Sequence, residues 1–298
     1  MAALIVGAAA TAGCSTATSS TFSSAPGVVN VAASINAWGS LLAQLGGAHV
    51  HETSIVDNPQ TDPHDYEPTP ADGRTIASAR LLVVNGIGYD PWASRAAAAN
   101  PDRRRKVLDV GKLVGVAAGA NPHRWYDPAD VERVADAITA DLKAVDPADA
   151  AYFDSRRQSF ERQGLDRYHR LIDDIRTTYA GIAVGASESI VAPLADALGL
   201  HLVTPASFMK AVSEGSEPSS AAKSTADAQI RDKRIAVYIF NKQNATPDVA
   251  AQVKAAEGRG IPVVAVTETL SPATASFQDW QVAQLESLQA ALHEAAGR

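Results

Sequence analysis

A single cysteine, Cys14, occurs in 298 residues. An intrachain disulfide and a thiolate metal cluster are both excluded, because each needs at least two thiols. No apolar run reaches the roughly 20 residues that a membrane-spanning helix requires. Basic residues are outnumbered: 26 Lys and Arg stand against 33 Asp and Glu, for a formal net charge of −7. That balance disfavours nucleic acid or an anionic membrane surface as a partner, since both are polyanions. What is present is ordinary globular material, 46% hydrophobic and 20% charged. At roughly 150 residues per domain, the length suits two cores.

The cysteine gains meaning from its position. "MAALIVGAAATAGC" is a short apolar run ending in small residues, too short to span a bilayer. The Ser/Thr-rich stretch "STATSSTFSSAPG" follows and reads as a flexible tether. An apolar segment, then Ala-Gly-Cys, then a polar tether looks like a bacterial lipoprotein signal. On this reading Cys14 carries the lipid, and residues 1–27 are signal and tether of a chain anchored on the extracytoplasmic face of the membrane. Two features depart from the usual pattern: no Lys or Arg precedes the apolar run, and Thr11 stands where a leucine is common.

Beyond the tether, strand-like and helix-like segments alternate. "VVNVAASI" (28–35), "HVHETSIV" (49–56), "LLVVNG" (81–86) and "KVLDV" (106–110) read as strands, the short apolar ones suiting a buried parallel sheet. "NAWGSLLAQLGG" (36–47) has helical spacing with a glycine stop. Thr69 and Asp127 are expected helix caps, each followed by a proline at the first helical position. Residues 147–180 differ in kind: long, charged and mostly helical, with Gly164 as an interior weak point. Alternation then resumes through "IAVGA", "ESIVAPLADALG", "LHLVT", "IAVYIF", "PDVAAQVKAAEG", "PVVAV" and a last helix from Phe277. The expected fold is α/β: two lobes with mostly parallel sheets, residues 28–146 and 181–298, joined by a long interlobe helix over 147–180.

Open α/β sheets bind ligands beyond the carboxyl ends of their strands. Two stretches place a histidine there directly after a proline: "TDPHDYEP" (61–68) and "NPHRWYDP" (121–128). In the second lobe, Glu188 follows "IAVGA" by one residue and Glu268 follows "PVVAV" by one. Each lobe therefore offers two groups to the edge that faces the other. Two imidazoles and two carboxylates suit a divalent transition metal, and the carboxylates balance its charge. Pro63 and Pro122 stiffen the two turns and lower the entropy of holding each ring ready. Against this, a histidine in a polar loop is often only solvated, and no compact ligand motif such as a paired C-x-x-C is present. Glu188 also fits an acid at a helix N-terminus.

"NPQTDPHDYEPTPAD", "VNGIGYDPWA", "NPHRWYDP", "EGSEPS" and "GIPVVAVTETLSP" resemble the zinc/manganese solute-binding proteins of bacterial ABC importers, the metal-binding cluster with a rigid interlobe helix. The likeness runs from about residue 28 to the end. It implies histidine ligands at His64 and His123, a third ligand at Glu188 and an acid after the last strand at Glu268. At the third block relatives often read Glu-Pro where this chain reads Glu188-Ser189, and the zinc members' His-rich loop is missing. His49, His51, His169, His201 and His293 are expected to be solvated or capping residues. Asp65, Trp125 and Asp127 are candidates for orienting the imidazoles, Asp127 having the competing role of helix cap.

The function implied is capture of one divalent ion, Mn²⁺ or Zn²⁺, and its delivery to an ABC importer permease, by a monomer that catalyses no reaction. A metal-dependent hydrolase is the alternative, with Glu67 as its base. Four converging ligands count against it, because catalytic sites usually keep a position open for water. Oxygen-rich ligation suits Mn²⁺ or Fe²⁺ and leans towards manganese, whereas the general affinity order favours Zn²⁺.

Overall fold

The computed structural model describes residues 27–60 and 63–297, apart from the side chain of Asp65. Cys14 and the expected signal and tether up to residue 26 lie outside the described residues. Among the described residues, no helix is long and apolar enough to cross a membrane.

The first lobe opens with β1 (Val29–Ile35), whose last five residues are fully buried. It runs directly into α1 (Asn36–Gly46), which stops at Gly47, a residue held at φ 53° that favours glycine. Trp38, Leu41, Leu42 and Leu45 form the buried face of α1, at helical spacing. Then come β2 (Val50–Val56), α2 (Pro70–Ser78), β3 (Leu81–Val84), α3 (Pro91–Ala99), β4 (Lys106–Asp109), α4 (Val110–Val114) and α5 (Pro128–Val145). Thr69 caps α2 in a reciprocal capping box with Asp72. Asp127 caps α5, accepting from Ala129 and Asp130 N–H.

Residues 147–179 do not form the continuous α-helix expected. A 3₁₀ turn leads into α6 (Ala150–Ser159), a π-turn follows at Phe160–Gly164, and α7 (Asp166–Tyr179) completes the segment. Leu165 N–H reaches back five residues to Phe160 O at 2.8 Å. Gly164 tolerates the wide turn because a Cβ there would crowd the Phe160 ring at 3.2 Å.

The second lobe repeats the pattern: β5 (Ala183–Ala186), α8 (Ala192–Ala197), β6 (His201–Leu202), α9 (Ala206–Ser213), α10 (Ser220–Arg231), β7 (Val237–Asn241), α11 (Pro247–Gly258), β8 (Val263–Val266) and α12 (Phe277–Ala296). The segment from residue 188 is not one helix: Glu188 is extended, and a 3₁₀ turn precedes α8. The sheets have matching orders, β2-β1-β3-β4 and β6-β5-β7-β8, with every pairing parallel. In each, the strand order reverses between the two central strands, which opens a crevice at their carboxyl ends.

The lobes are not independent bodies. One buried apolar cluster takes in Trp38 and Trp125 of the first lobe and Leu194, Phe277 and Trp280 of the second. Polar ties cross the seam as well. Gln44 and Gln278 exchange side-chain hydrogen bonds, and Asn36 Oδ1 accepts Leu270 N–H at 3.2 Å.

Candidate metal centre

The "NPH" turn is set from beneath. Asn85, at the end of β3, accepts the Trp38 indole N–H at 2.9 Å and donates to Pro122 O at 3.0 Å. His123 follows this anchored proline and is fully buried. Asn121 fixes its ring: Asn121 Nδ2 donates to Ser189 O at 2.6 Å, so its Oδ1 must face His123, where it meets Nδ1 at 2.8 Å. An acceptor at Nδ1 places the imidazole proton there and leaves the lone pair on Nε2. His64 arrives from the other side, on the 3₁₀ turn Pro63–Asp65, with its side chain 22% exposed.

Glu268 meets both rings. Its Oε2 lies 3.6 Å from His64 Nε2 and 3.6 Å from His123 Nε2. One ligand atom from each of these three residues lies within 4.8 Å of the other two. The Tyr89 hydroxyl donates to the same Oε2 at 2.9 Å. Burial pushes the His123 imidazole below its usual pKa, despite the opposing pull of Glu268. Burial alone would raise the Glu268 carboxyl, yet the adjacent imidazoles and the Tyr89 hydroxyl hold it below the usual range. The His123 shift favours the bare imidazole that binds metal.

Glu188 is as buried as Glu268 but does not join His64, His123 and Glu268 in the close cluster of ligand atoms. Its Oε1 accepts from Asn241 Nδ2 at 2.7 Å and its Oε2 from Asn244 Nδ2 at 2.9 Å. Asn241 Nδ2 donates also to Glu268 Oε1, at 3.0 Å. The structure thus converges His64, His123 and Glu268 directly and links Glu188 to them through a shared amide. A cavity of about 390 Å³ opens beside His64, lined in part by Tyr89, Asn121, Ser189 and Lys210.

Of the residues expected to orient the imidazoles, Trp125 packs edge-on against His123, centroids 5.4 Å apart. Asp127 does not orient a ring; its carboxylate caps α5 and pairs with Arg124. The side chain of Asp65 lies outside the described residues. Two histidines expected to be solvated or capping, His49 and His169, are partly exposed and also lie against carboxylates, Asp149 and Glu132. Glu67, the base of the hydrolase alternative, is solvent-exposed. Sequence reasoning gave no role to Tyr89, Asn121, Asn241 or Asn244. The available signal was position, because Asn241 ends a strand as Glu188 and Glu268 nearly do.

Releasing the ring of His123 should be felt at the metal. Asn121→Ala is expected to weaken metal affinity by roughly 10–100-fold, the usual cost of losing a ligand's orienting partner. Competition against a chromophoric chelator measures it, and unchanged affinity would remove Asn121 from the site.

Two α/β lobes of matching topology, meeting over buried imidazoles and carboxylates, define a bilobed cleft protein. The chain belongs to the family described as "ZnuA: zinc-uptake complex component A, periplasmic", which it matches over residues 31–291. It is 27% identical over 172 residues to the manganese-binding lipoprotein MntA of Halalkalibacterium halodurans, covering 56% of each chain. It is 24% identical over 129 residues to the high-affinity zinc uptake system protein ZnuA of Bacillus subtilis, covering 37% of this chain and 40% of that one. These matches span about half, or less, of the relatives' own lengths. In fold it is similar to an Mn-bound mutant of a periplasmic metal-binding protein from Candidatus Liberibacter asiaticus, with TM-score 0.74, 19% identity and coverage of 88% and 98%. It is also similar to the solute-binding protein FpvC of Pseudomonas aeruginosa in complex with Mn²⁺, with TM-score 0.73, 18% identity and coverage of 90% and 99%.

Proposed function

We propose that this chain captures one divalent transition-metal ion, Mn²⁺ or Zn²⁺, between its lobes and passes it to an ABC-type permease. His64, His123 and Glu268 are the direct ligands, and Glu188 supplies the fourth position. The observation that carries this reading is the convergence of two imidazole nitrogens on one carboxylate oxygen at 3.6 Å each. That spacing is too long for a hydrogen bond, yet it suits an ion that bonds each donor at about 2.0–2.2 Å. The manganese and zinc relatives agree with it in kind. The chain acts as a monomer held to the membrane by a lipid on Cys14, and the delivery requires no chemical step.

Metal-free protein titrated with Mn²⁺ or Zn²⁺ is expected to take up one ion per chain. Because protons compete for the imidazole lone pairs, affinity should decline as pH falls below about 6.5. Burial lowers the pKa of His123, so competition at that ring begins at a lower pH than for an exposed histidine. Binding that stays flat from about pH 7.5 to about pH 5 would contradict histidine ligation.

A further inference from the structure

The amino-terminal edge of the first sheet is charged against the trend of the chain. Between residues 95 and 112 stand six Arg and Lys and only two Asp, in a chain whose net charge is −7. Two of the six are matched: Arg104 pairs with Asp102 at 3.2 Å and Lys112 with Asp109 at 3.1 Å. Arg105 is turned inward, donating to the carbonyls of Ala77, Ala79, Ala97 and Asn100 around the ends of α2 and α3. Arg95, Arg103 and Lys106 remain exposed. Lys106 interacts electrostatically with Asp141 of α5.

The flank of β4, the outer strand of its sheet, is apolar. Val107, 48% exposed, is the only large apolar side chain exposed among the described residues. It borders an open groove of about 770 Å³, lined by Ala97, Ala98, Leu108 and Leu113 as well as by Arg103 and Lys112. Apolar surface set among cations suits an amphiphile with a negative head.

The occupant follows from where the chain enters the fold. Arg80 N–H donates to Asn30 O and Lys106 N–H to Arg80 O, both at 2.8 Å, so β1, β3 and β4 begin side by side. At about 4.8 Å per strand, Lys106 lies about 10 Å across the sheet from Asn30. Gly27, the first described residue, enters β1 from this same edge. Residues 15–26 join it to Cys14 and span at most about 40 Å when fully extended. A lipid on Cys14 therefore keeps this edge within reach of the headgroups.

We propose that this edge of the first lobe, through Arg95, Arg103, Lys106 and the groove at Val107, docks on anionic phospholipid headgroups as a second membrane contact. The inference rests on the proposed lipid anchor: the anchor supplies affinity and the patch supplies orientation. The net charge that argued against an anionic membrane is a sum over faces that do not share one sign. Repulsion of the acidic faces by the headgroups favours approach by this basic one. The metal cleft opens at the carboxyl ends of the strands, the opposite edge, so a chain docked this way presents it outward for capture. Delivery to the permease then requires release from the lipid surface and a turn on the tether.

The test is sedimentation of the purified full chain with vesicles of phosphatidylcholine alone or mixed with phosphatidylglycerol. Binding to the neutral vesicles measures what the apolar start of the chain contributes. Stronger binding to the anionic vesicles, reversed by salt, is expected. Each surface cation contributes about fivefold, so Arg103→Gln combined with Lys106→Gln should lower that binding at least about tenfold. Arg95→Gln and Val107→Ser should each weaken it less. Lys254→Gln combined with Arg259→Gln, exposed cations of the second lobe, should leave it unchanged. Metal affinity should stay at the wild-type value in all of these variants. Equal binding to both vesicle types, or anionic binding untouched by the Arg103 and Lys106 changes, would overturn the proposal. If that same variant also lost metal delivery in cells, an acidic face of the permease would be the partner instead. The anchor is tested apart, by the mass of the chain extracted from membranes. An unmodified Cys14 would overturn the lipid reading while leaving the headgroup contact measurable.

Discussion

His123→Ala will lower metal affinity by more than about 100-fold, beyond the 10–100-fold typical of an orienting partner, because it deletes a direct bond. The ring it removes is fully buried, has its lone pair placed by Asn121, and faces Glu268 Oε2 at 3.6 Å. Trp125 and Tyr89 pack edge-on against that ring, and neither carries a nitrogen lone pair to replace it. Removing a ring from this packed position also leaves a cavity, and a cost to stability accompanies it. His123→Gln separates the two effects, since it refills part of the volume without restoring the imidazole. Both variants should fold, as judged by circular dichroism, while binding weakly in competition titrations. Near-wild-type affinity in either folded variant would sink the ligand assignment.

The second large effect is on stability. An ion that binds only the folded chain stabilises it by about 4.1 kcal/mol when its free concentration is 1,000 times Kd. At roughly 2–4 °C per kcal/mol for a chain of this size, the melting temperature should rise by about 8–16 °C on metal addition and return on chelation. The whole molecule should respond, not one lobe, for a structural reason. His64 and His123 come from the first lobe and Glu268 from the second, so the ion crosslinks them. The two ligand-bearing backbones are already tied together: the Tyr126 hydroxyl, three residues past His123, donates to Thr267 O at 2.8 Å, just before Glu268. With one apolar cluster through both lobes, a single calorimetric transition that moves with metal is expected. A metal-insensitive transition, or two transitions of which one moves, would contradict the crosslink.

Much of this was legible in the sequence because local rules suffice for it. Apolar runs marked the strands, and Thr69 and Asp127, each followed by proline, marked helix starts that the structure reproduces. The prolines before His64 and His123, and the acids one residue beyond strand-like runs, were enough to suggest the donor set. The chain's own order also exposed Gly164 as a weak point, although the close approach of the Phe160 ring that a Cβ there would meet is visible only in the structure.

Other features depend on residues far apart in sequence, which no spacing rule connects. Asp127 read first as a helix cap and only second as an imidazole partner; the orienting group proved to be Asn121, because its amide reaches Ser189 across the seam. Glu188 and Glu268 read as equivalent ligands, yet only Glu268 faces both imidazoles. The strand order β6-β5-β7-β8 sets Asn241 between them. Sequence therefore determined which donors exist and at which edge of which lobe they sit, since strand ends follow from local pattern. Tertiary structure alone decided which of those donors meet, because only the packing of one lobe on the other brings Glu268 Oε2 to both imidazoles.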